Sequence, residues 1–499
     1  MKLATADDVL GQSAASRTAG AGMLTIGSRL AAKLIDLVML IFLARFLHPS
    51  DFGLVAIAMA AVFVVEALFE LPTAAALIRV PEITSDLLNT AFTLSLLRGL
   101  VIAVMLLAVS APLAAFNNDW RLVSLLAVLS LAPTLRGLCS PRVIEYTRKL
   151  DFRPDVLIEL SGKIAALIFS GAIAFSTRSY WAIAAASVTA PLVGTIISYF
   201  ISPMRPRLTL SKWQEFSNLI GWNFVSQFCS ALNWQIDRLM LPRFTTGPAF
   251  GHYAMGKQLS EIPIQAFVAP LTRPTMAALA SSGESVTSRY IQISQALSLV
   301  LFPVLGFCII WPEIILRVGL GEQWLSASEW LRWVTAAALI SVPTMLLAPL
   351  AMAKNQTRWL AIRTGVELLV RVPLVWLGAV HYGIPGAIGG SAIANAFSTF
   401  VALVAVRRLI GSSFRSQLAI LCRPIFAMVP ATAFLLIAEA SLIDTTTLIH
   451  QIAFLVPCVI FYFLIYSLSG FLCWFFAGKP PGLENLIMQK IWKIRRKWL

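Results

Sequence analysis

The chain has 499 residues and a formal net charge of +15, with 58% of residues hydrophobic and only 13% charged. A soluble domain carries about 25% charged residues, so this composition excludes a water-soluble globular protein. The apolar runs are about 20 residues long, the length of a helix that crosses a bilayer, so the fold class is all-α polytopic membrane protein. The basic excess lies in short loops, where it sets topology; a nucleic-acid partner is not expected.

The first residues, MKLATADDVLGQSAAS, are polar and include two Asp. They do not read as a signal peptide, and the apolar run that follows is too long for one. That run, Gly20 to Phe42, is the first span. It carries Arg29, Lys33 and Asp36 within about 60° of one another on a helical wheel, beside Gly22 and Thr25. A charge at mid-bilayer costs about 2.5–3.5 kcal/mol on insertion scales. The stripe is therefore expected to face a wet cavity or a partner helix. One reading pairs Lys33 with Asp36 at i,i+3 as a structural couple. That reading leaves Arg29 uncompensated, which suits an anionic substrate.

Apolar length gives about fourteen spans: 19–42, 52–75, 88–111, 121–140, 155–176, 180–202, 217–241, 250–276, 289–311, 329–352, 358–380, 384–406, 417–438 and 450–476. Alternate loops are rich in Arg and Lys: Arg142, Arg148, Lys149 and Arg153, then Arg205, Arg207 and Lys212, then Arg407, Arg408 and Arg415. By the positive-inside rule these loops and both termini are cytoplasmic. RVIEYTRKLDFR reads as an interfacial helix. The stretch Glu313 to Ser328, about 16 residues by these limits, is the longest loop on the other side and carries no acid/base constellation. In the tail, Ile487, Ile491, Ile494 and Trp498 share a helical face, with Lys490, Lys493 and Lys497 off it. That is either a helix on an anionic leaflet or a disordered basic tail. The six Cys and four His are scattered, with no metal or disulfide pattern.

The chain also repeats. RFLHPSDFGLVAIA from Arg45 is echoed by RFTTGPAFGHYAMG from Arg243, 198 residues later. Tyr180–Ile183 is echoed by Tyr382–Ile388 at a similar offset. Two echoes at matching hairpins argue for parallel six-helix halves. The expected division is a cytoplasmic segment 1–18, a bundle 19–210, a second bundle 211–410, two further helices 411–478 and a basic tail 479–499.

The repeat makes span 7 the counterpart of span 1. Asn223, Ser226, Gln227, Ser230, Asn233, Trp234 and Asp237 fall within about 120° of arc on it. Interhelical hydrogen bonding is one account; cavity lining is the other. Glu66 and Glu70 are further charges in span 2, and Glu159 with Lys163 and Lys257 with Glu261 are spaced i,i+4 as ion pairs within their helices. The span 5 pair is read as structural. Arg363, Glu367 and Arg371 leave a net positive charge, making Arg371 a second candidate for anion contact.

LARFLHPSDFGLVAIA, AALIR, RKLDFR, NWQIDRLMLPRF and YGIPGAIGG, in that order and spacing, resemble polysaccharide flippases of the multidrug/oligosaccharidyl-lipid/polysaccharide exporter superfamily. The resemblance covers most of the chain to about residue 410. Thr245, Thr246 and Pro385 depart from it locally. It implies two six-helix bundles in a V around a cavity lined by spans 1, 2, 7 and 8. It implies transport, in the bacterial inner membrane, of an oligosaccharide carried on undecaprenyl pyrophosphate for exopolysaccharide or O-antigen synthesis. A polysaccharide polymerase and co-polymerase are implied partners.

On that reading Arg29, Lys33 and Arg371 attract the pyrophosphate, and Asn223, Gln227, Asn233 and Trp234 contact sugars. Asp36, Glu66, Asp237 and Glu261 are candidates to couple a proton or sodium ion; no cofactor or metal is expected. Two alternatives stay open: a drug/cation antiporter of the same superfamily, and a polymerase or non-catalytic component of an assembly complex.

Overall fold

Lipid offers no hydrogen-bond partner to a bare peptide group, so a chain this apolar must close its backbone bonds within helices. The computed structural model describes residues 27–71, 73–149, 151–217, 223–280, 286–442 and 448–479, and among them there is helix and no strand. The residues expected to form the basic tail helix, and the start of the first span with Gly22 and Thr25, lie outside the described residues.

Two compact units divide the chain, Met1–Arg243 and Phe244–Leu499. The first contains α1 (27–46), α2 (Pro49–Leu68), α3 (Thr73–Arg79), α4 (Ser85–Asn117), α5 (Arg121–Leu129), α6 (Leu131–Gly137), α7 (Ile144–Arg148), α8 (Arg153–Thr177), α9 (Trp181–Ile201), α10 (Gln214–Ser217) and α11 (Asn223–Met240). The second contains α12 (Gly247–Ala280), α13 (Val286–Ile310), α14 (Pro312–Gly319), α15 (Ser328–Leu339), α16 (Leu347–Ala353), α17 (Arg358–Ile410), α18 (Phe414–Leu418), α19 (Cys422–Leu442) and α20 (Leu448–Phe476). The division falls after α11, which packs on α2 inside the first unit. The sequence repeat had placed that helix at the start of the second half.

Small residues set the packing in the first unit. Gly162, Ala166, Ser170 and Ala174 recur every fourth residue on α8 and are buried, facing Ala182, Ala186, Gly194 and Ser198 of α9. Helices in lipid gain little from apolar burial between them, so close backbone approach through small residues supplies the contact. A Cβ at Gly162 would stand 2.6 Å from the Ala190 carbonyl oxygen. The neighbouring face of α8, turned by one residue, meets α1. There Phe42 lies over Gly171, and the rings of Phe46 and Phe175 meet edge-on at 6.2 Å.

In the second unit, Leu279, Tyr290, Leu301, Leu305, Leu347 and Val406 build one apolar cluster across α12, α13, α16 and α17. A second cluster joins Trp311 to Ala427, Ala431 and Leu435 of α19 and to Tyr462 of α20. The Tyr462 hydroxyl donates to the Pro303 carbonyl at 2.9 Å, which satisfies a buried phenol and ties α20 to α13. Three prolines, Pro263, Pro270 and Pro274, sit inside α12. Such a run is tolerated in membrane helices because neighbouring helices re-satisfy the freed carbonyls.

Among the described residues eight helices are long and apolar enough to cross a membrane, or up to ten when two bent pairs are each taken as one span. Apolar length had suggested about fourteen. Part of the difference is α17, which holds two expected spans as two helical arms joined at a non-helical turn at Gly383 (φ 63°, ψ −138°). At 53 residues it would be about 80 Å long if straight, more than twice the hydrocarbon thickness. The stretch Glu313 to Ser328 is helical rather than a loop, formed by α14 and a 3-10 turn, Glu322–Ala327, with Trp324 fully buried. The segment RVIEYTRKLDFR does form a short helix, α7.

Candidate functional site

The charged stripe of α1 is resolved by a helix that sequence spacing does not reach. Lys163 of α8 forms an ion pair with Asp36, their side chains 24% and 35% exposed. This corrects two expected pairs. Asp36 is not neutralised by Lys33 on its own helix, and Lys163 is not spent on Glu159. The reason is the α1–α8 packing, in which Asp36, Phe42 and Phe46 follow one another along the seam with Lys163, Gly171 and Phe175. Arg29 and Lys33 are exposed, and neither has an ion-pair or hydrogen-bond partner among the described residues. The stripe therefore presents two cationic groups beside a neutralised pair.

A second seam ties α2, α4, α6 and α11. Arg136 of α6 pairs with Glu66 of α2. Arg98 of α4 donates to the Glu66 carbonyl oxygen at 3.4 Å. Just past the end of α2, Glu70 accepts from the Gln227 amide of α11 at 2.7 Å. Arg98 and Arg136 were missed in the sequence, although each sits in the same tripeptide: Leu97-Arg98-Gly99 and Leu135-Arg136-Gly137. The glycines explain the pairing. A Cβ at Gly99 would stand 2.7 Å from the Pro133 carbonyl oxygen, and Gly137 presses against Ser95 in return. The reciprocal approach of α4 and α6 delivers both guanidinium groups to one residue, Arg136 to the Glu66 carboxylate and Arg98 to its backbone carbonyl.

On α11 the expected polar face is divided. Gln227 is half-buried on Glu70, Trp234 is half-buried, and Asn233 and Asp237 are buried. Asn223 heads the helix, and its side chain lies outside the described residues. In the second unit Lys257 is buried on α12 and Glu261 half-buried one turn later.

Arg371 is drawn into a polar cluster of that same unit. It pairs with Glu367 at 2.8 Å and also donates to Asn395. Asn395 in turn donates to the Ala337 carbonyl at 3.1 Å. Arg363 donates to Ser398, and Ser398 to Glu367, at 2.9 and 2.7 Å. The two Arg that seemed to share one Glu are both given further acceptors by the returning arm of α17. The guanidinium of Arg371 is thus engaged by protein groups, in place of the open anion contact expected. Among the described residues no cluster of His, Cys, Asp and Glu has the geometry of a metal site.

The family model for polysaccharide biosynthesis proteins matches residues 42–329, more than half of the chain. The chain belongs to that family. The chain is 22% identical over 409 residues to the lipopolysaccharide biosynthesis protein WzxC of Escherichia coli K12, spanning 79% of this chain and 82% of that protein. It is 22% identical over 361 residues to the succinoglycan biosynthesis transport protein ExoT of Rhizobium meliloti, 70% of each chain. Among solved structures, the lipid II flippase MurJ in an inward closed conformation superposes with a TM-score of 0.67 at 13% identity, covering 91% of this chain and 99% of that one. An inward-facing multidrug MATE transporter superposes at 0.59 with 14% identity, covering 76% and 94%. At these identities the likeness establishes a shared fold. With its apolar helices and these relatives, the family member is a multi-pass membrane protein.

Proposed function

We propose that this member of the polysaccharide biosynthesis family is a transporter rather than an enzyme, a flippase for a lipid-linked oligosaccharide. Its cargo is an oligosaccharide repeat unit on a polyprenyl pyrophosphate such as undecaprenyl pyrophosphate. The observation that carries the reading is the state of the α1 stripe. Asp36 is neutralised by Lys163, so Arg29 and Lys33 stand exposed as two cations on a membrane helix. Such groups are costly against lipid and are retained where they meet water or an anion. A pyrophosphate supplies the charge they lack. Sugars have hydroxyls for Gln227 and an apolar ring face for Trp234.

The matching between helices and spans supports a fourteen-crossing reading with both termini cytoplasmic. The eight apolar helices and the two bent pairs supply ten, and the turn at Gly383 divides α17 into two. The polar helices α1, α11 and α12 supply three more. Of the candidate coupling carboxyls, Asp36 and Glu66 are held in ion pairs. All four, with Asp237 buried on α11 and Glu261 half-buried on α12, remain carboxyls we propose for proton or sodium coupling.

The test is a strain deleted for this gene, with lipid-linked oligosaccharide quantified on each face of the inner membrane. Accumulation on the cytoplasmic face, relieved by the wild-type protein but not by Arg29→Ala at equal membrane abundance, is the expected result. Accumulation on the periplasmic face would place the block after translocation and overturn the reading in favour of a polymerase or scaffold role.

A further inference from the structure

The segment joining α9 to α10 is not a slack linker. Residues 203–213 run along the first turns of α4, and their backbone is bonded to its side chains. The amide of Arg207 donates to Asn89 Oδ1 at 3.0 Å, that of Thr209 to Thr93 Oγ1 at 3.0 Å, and that of Lys212 to Thr90 Oγ1 at 3.3 Å. Asn89 and Thr90 are buried beneath it. Both ends are pinned by apolar side chains: Met204 and Phe216 enter the cluster formed by Ala76, Leu77, Leu87 and Leu88. Arg142 of the α6–α7 turn donates to the Pro203 carbonyl at 3.2 Å, a further tie at the near end.

With its backbone committed inward, the strap turns its side chains out. Arg205, Arg207 and Lys212 are exposed, and between and beside them Leu208, Leu210 and Trp213 are 73%, 50% and 44% exposed. A soluble surface has no use for three large apolar groups on a pinned, extended segment. Their height along α4 supplies a reason. That helix has 33 residues, about 50 Å, whereas the hydrocarbon core is about 30 Å thick. Its first turns carry Ser85, Asp86, Asn89 and Thr90, so the excess length puts that polar end in the headgroup layer, and the strap with it. Cations interleaved with Leu and Trp are the chemistry of a surface that meets anionic headgroups while its apolar groups reach the acyl boundary.

We infer that residues 205–213 form a rigid strap that docks on the anionic lipid surface of the membrane, holding lipid phosphates between Arg205, Arg207 and Lys212. The surface is built by the α4 side chains and does not depend on the transport reading. Each basic group near a negatively charged leaflet contributes about fivefold to partitioning, so the three together give a strong preference for anionic over zwitterionic lipid.

The test places a bimane label on Leu208→Cys in an otherwise Cys-free full-length protein, in nanodiscs of phosphatidylcholine alone or mixed equally with phosphatidylglycerol. Quenching by brominated lipid is expected to rise severalfold in the mixed discs, and quenching by aqueous iodide to fall. Arg205→Gln/Arg207→Gln/Lys212→Gln is expected to remove that contrast without loss of folded protein, since those side chains do not make the strap's backbone bonds. Asn89→Ala, which removes one of those bonds, is expected to weaken it. Equal iodide access in both lipids would overturn the proposal. So would protection by free inorganic pyrophosphate in discs where phosphatidylglycerol gives none, an outcome that would assign the strap to a phosphate ligand instead of the bilayer surface.

Discussion

Asp36 has one cation within reach of sequence spacing, Lys33 three residues earlier on its own helix, yet it does not take it. The Lys163 ammonium arrives from α8 because Gly171 lets Phe42 seat against that helix and brings the two charges to one level. Both groups are partly solvated, so the coupling is expected to be modest, about 1 kcal/mol. A double-mutant cycle of Asp36→Asn and Lys163→Met, read by thermal unfolding in detergent, checks it. Each single variant is expected to lose more stability than the double variant, because each strands a charge on a membrane helix. Strict additivity would mean that the pair does not interact. Arg29 obeys a different logic. Arg29→Lys keeps the charge and is expected to retain part of the export that Arg29→Ala abolishes, measured as surface polysaccharide.

At the level of elements, α17 is the instructive one. Two apolar arms fold back on each other closely enough that Gly378 and Gly386 meet backbone to backbone, and the chain reverses at Gly383. Its φ of 63° with ψ of −138° is a conformation reached by glycine and resisted by residues with a Cβ. Gly383→Ala is expected to destabilise the protein by about 1–3 kcal/mol. Gly365→Ala, in an open part of the same helix, is expected to be neutral or slightly stabilising. The two melting temperatures in one detergent decide whether the turn, rather than glycine loss in general, carries the cost. The reversal also gives Arg363 and Arg371 their extra acceptors, so the hairpin and the polar cluster stand or fall together.

Across the whole molecule the two echoed junctions differ in local geometry but bury equivalent residues. α1 breaks at Leu47–His48 before α2, and α11 passes through the 3-10 turn Leu241–Phe244 before α12. The equivalent residues Phe52 and Gly53, and Phe250 and Gly251, are buried in each. Topology offers a direct check on the fourteen-crossing reading. Alkaline phosphatase fused after Asn118 is expected to be active, and fused after Tyr146 inactive, because the Arg-rich turn stays in the cytoplasm. The reverse pattern would invert every loop assignment. Fusions within the strap are expected to match those at Tyr146.

The sequence by itself determined the class of protein, since a bilayer constrains span length and backbone hydrogen bonding so tightly that composition and apolar runs suffice. It also showed that charges sit inside spans, and that span 1 carries a net positive face. It did not determine which charges remain open. Spacing along one helix sees only partners three or four residues away, whereas Asp36 and Lys163 are 127 residues apart and Glu66 and Arg136 are 70 apart. Arg98, Arg136 and the docked strap were invisible for the same reason: each acquires its role from a second helix. Only the tertiary structure brings those helices close, and it does so through glycine and alanine contacts whose consequence for a distant charge no local pattern records.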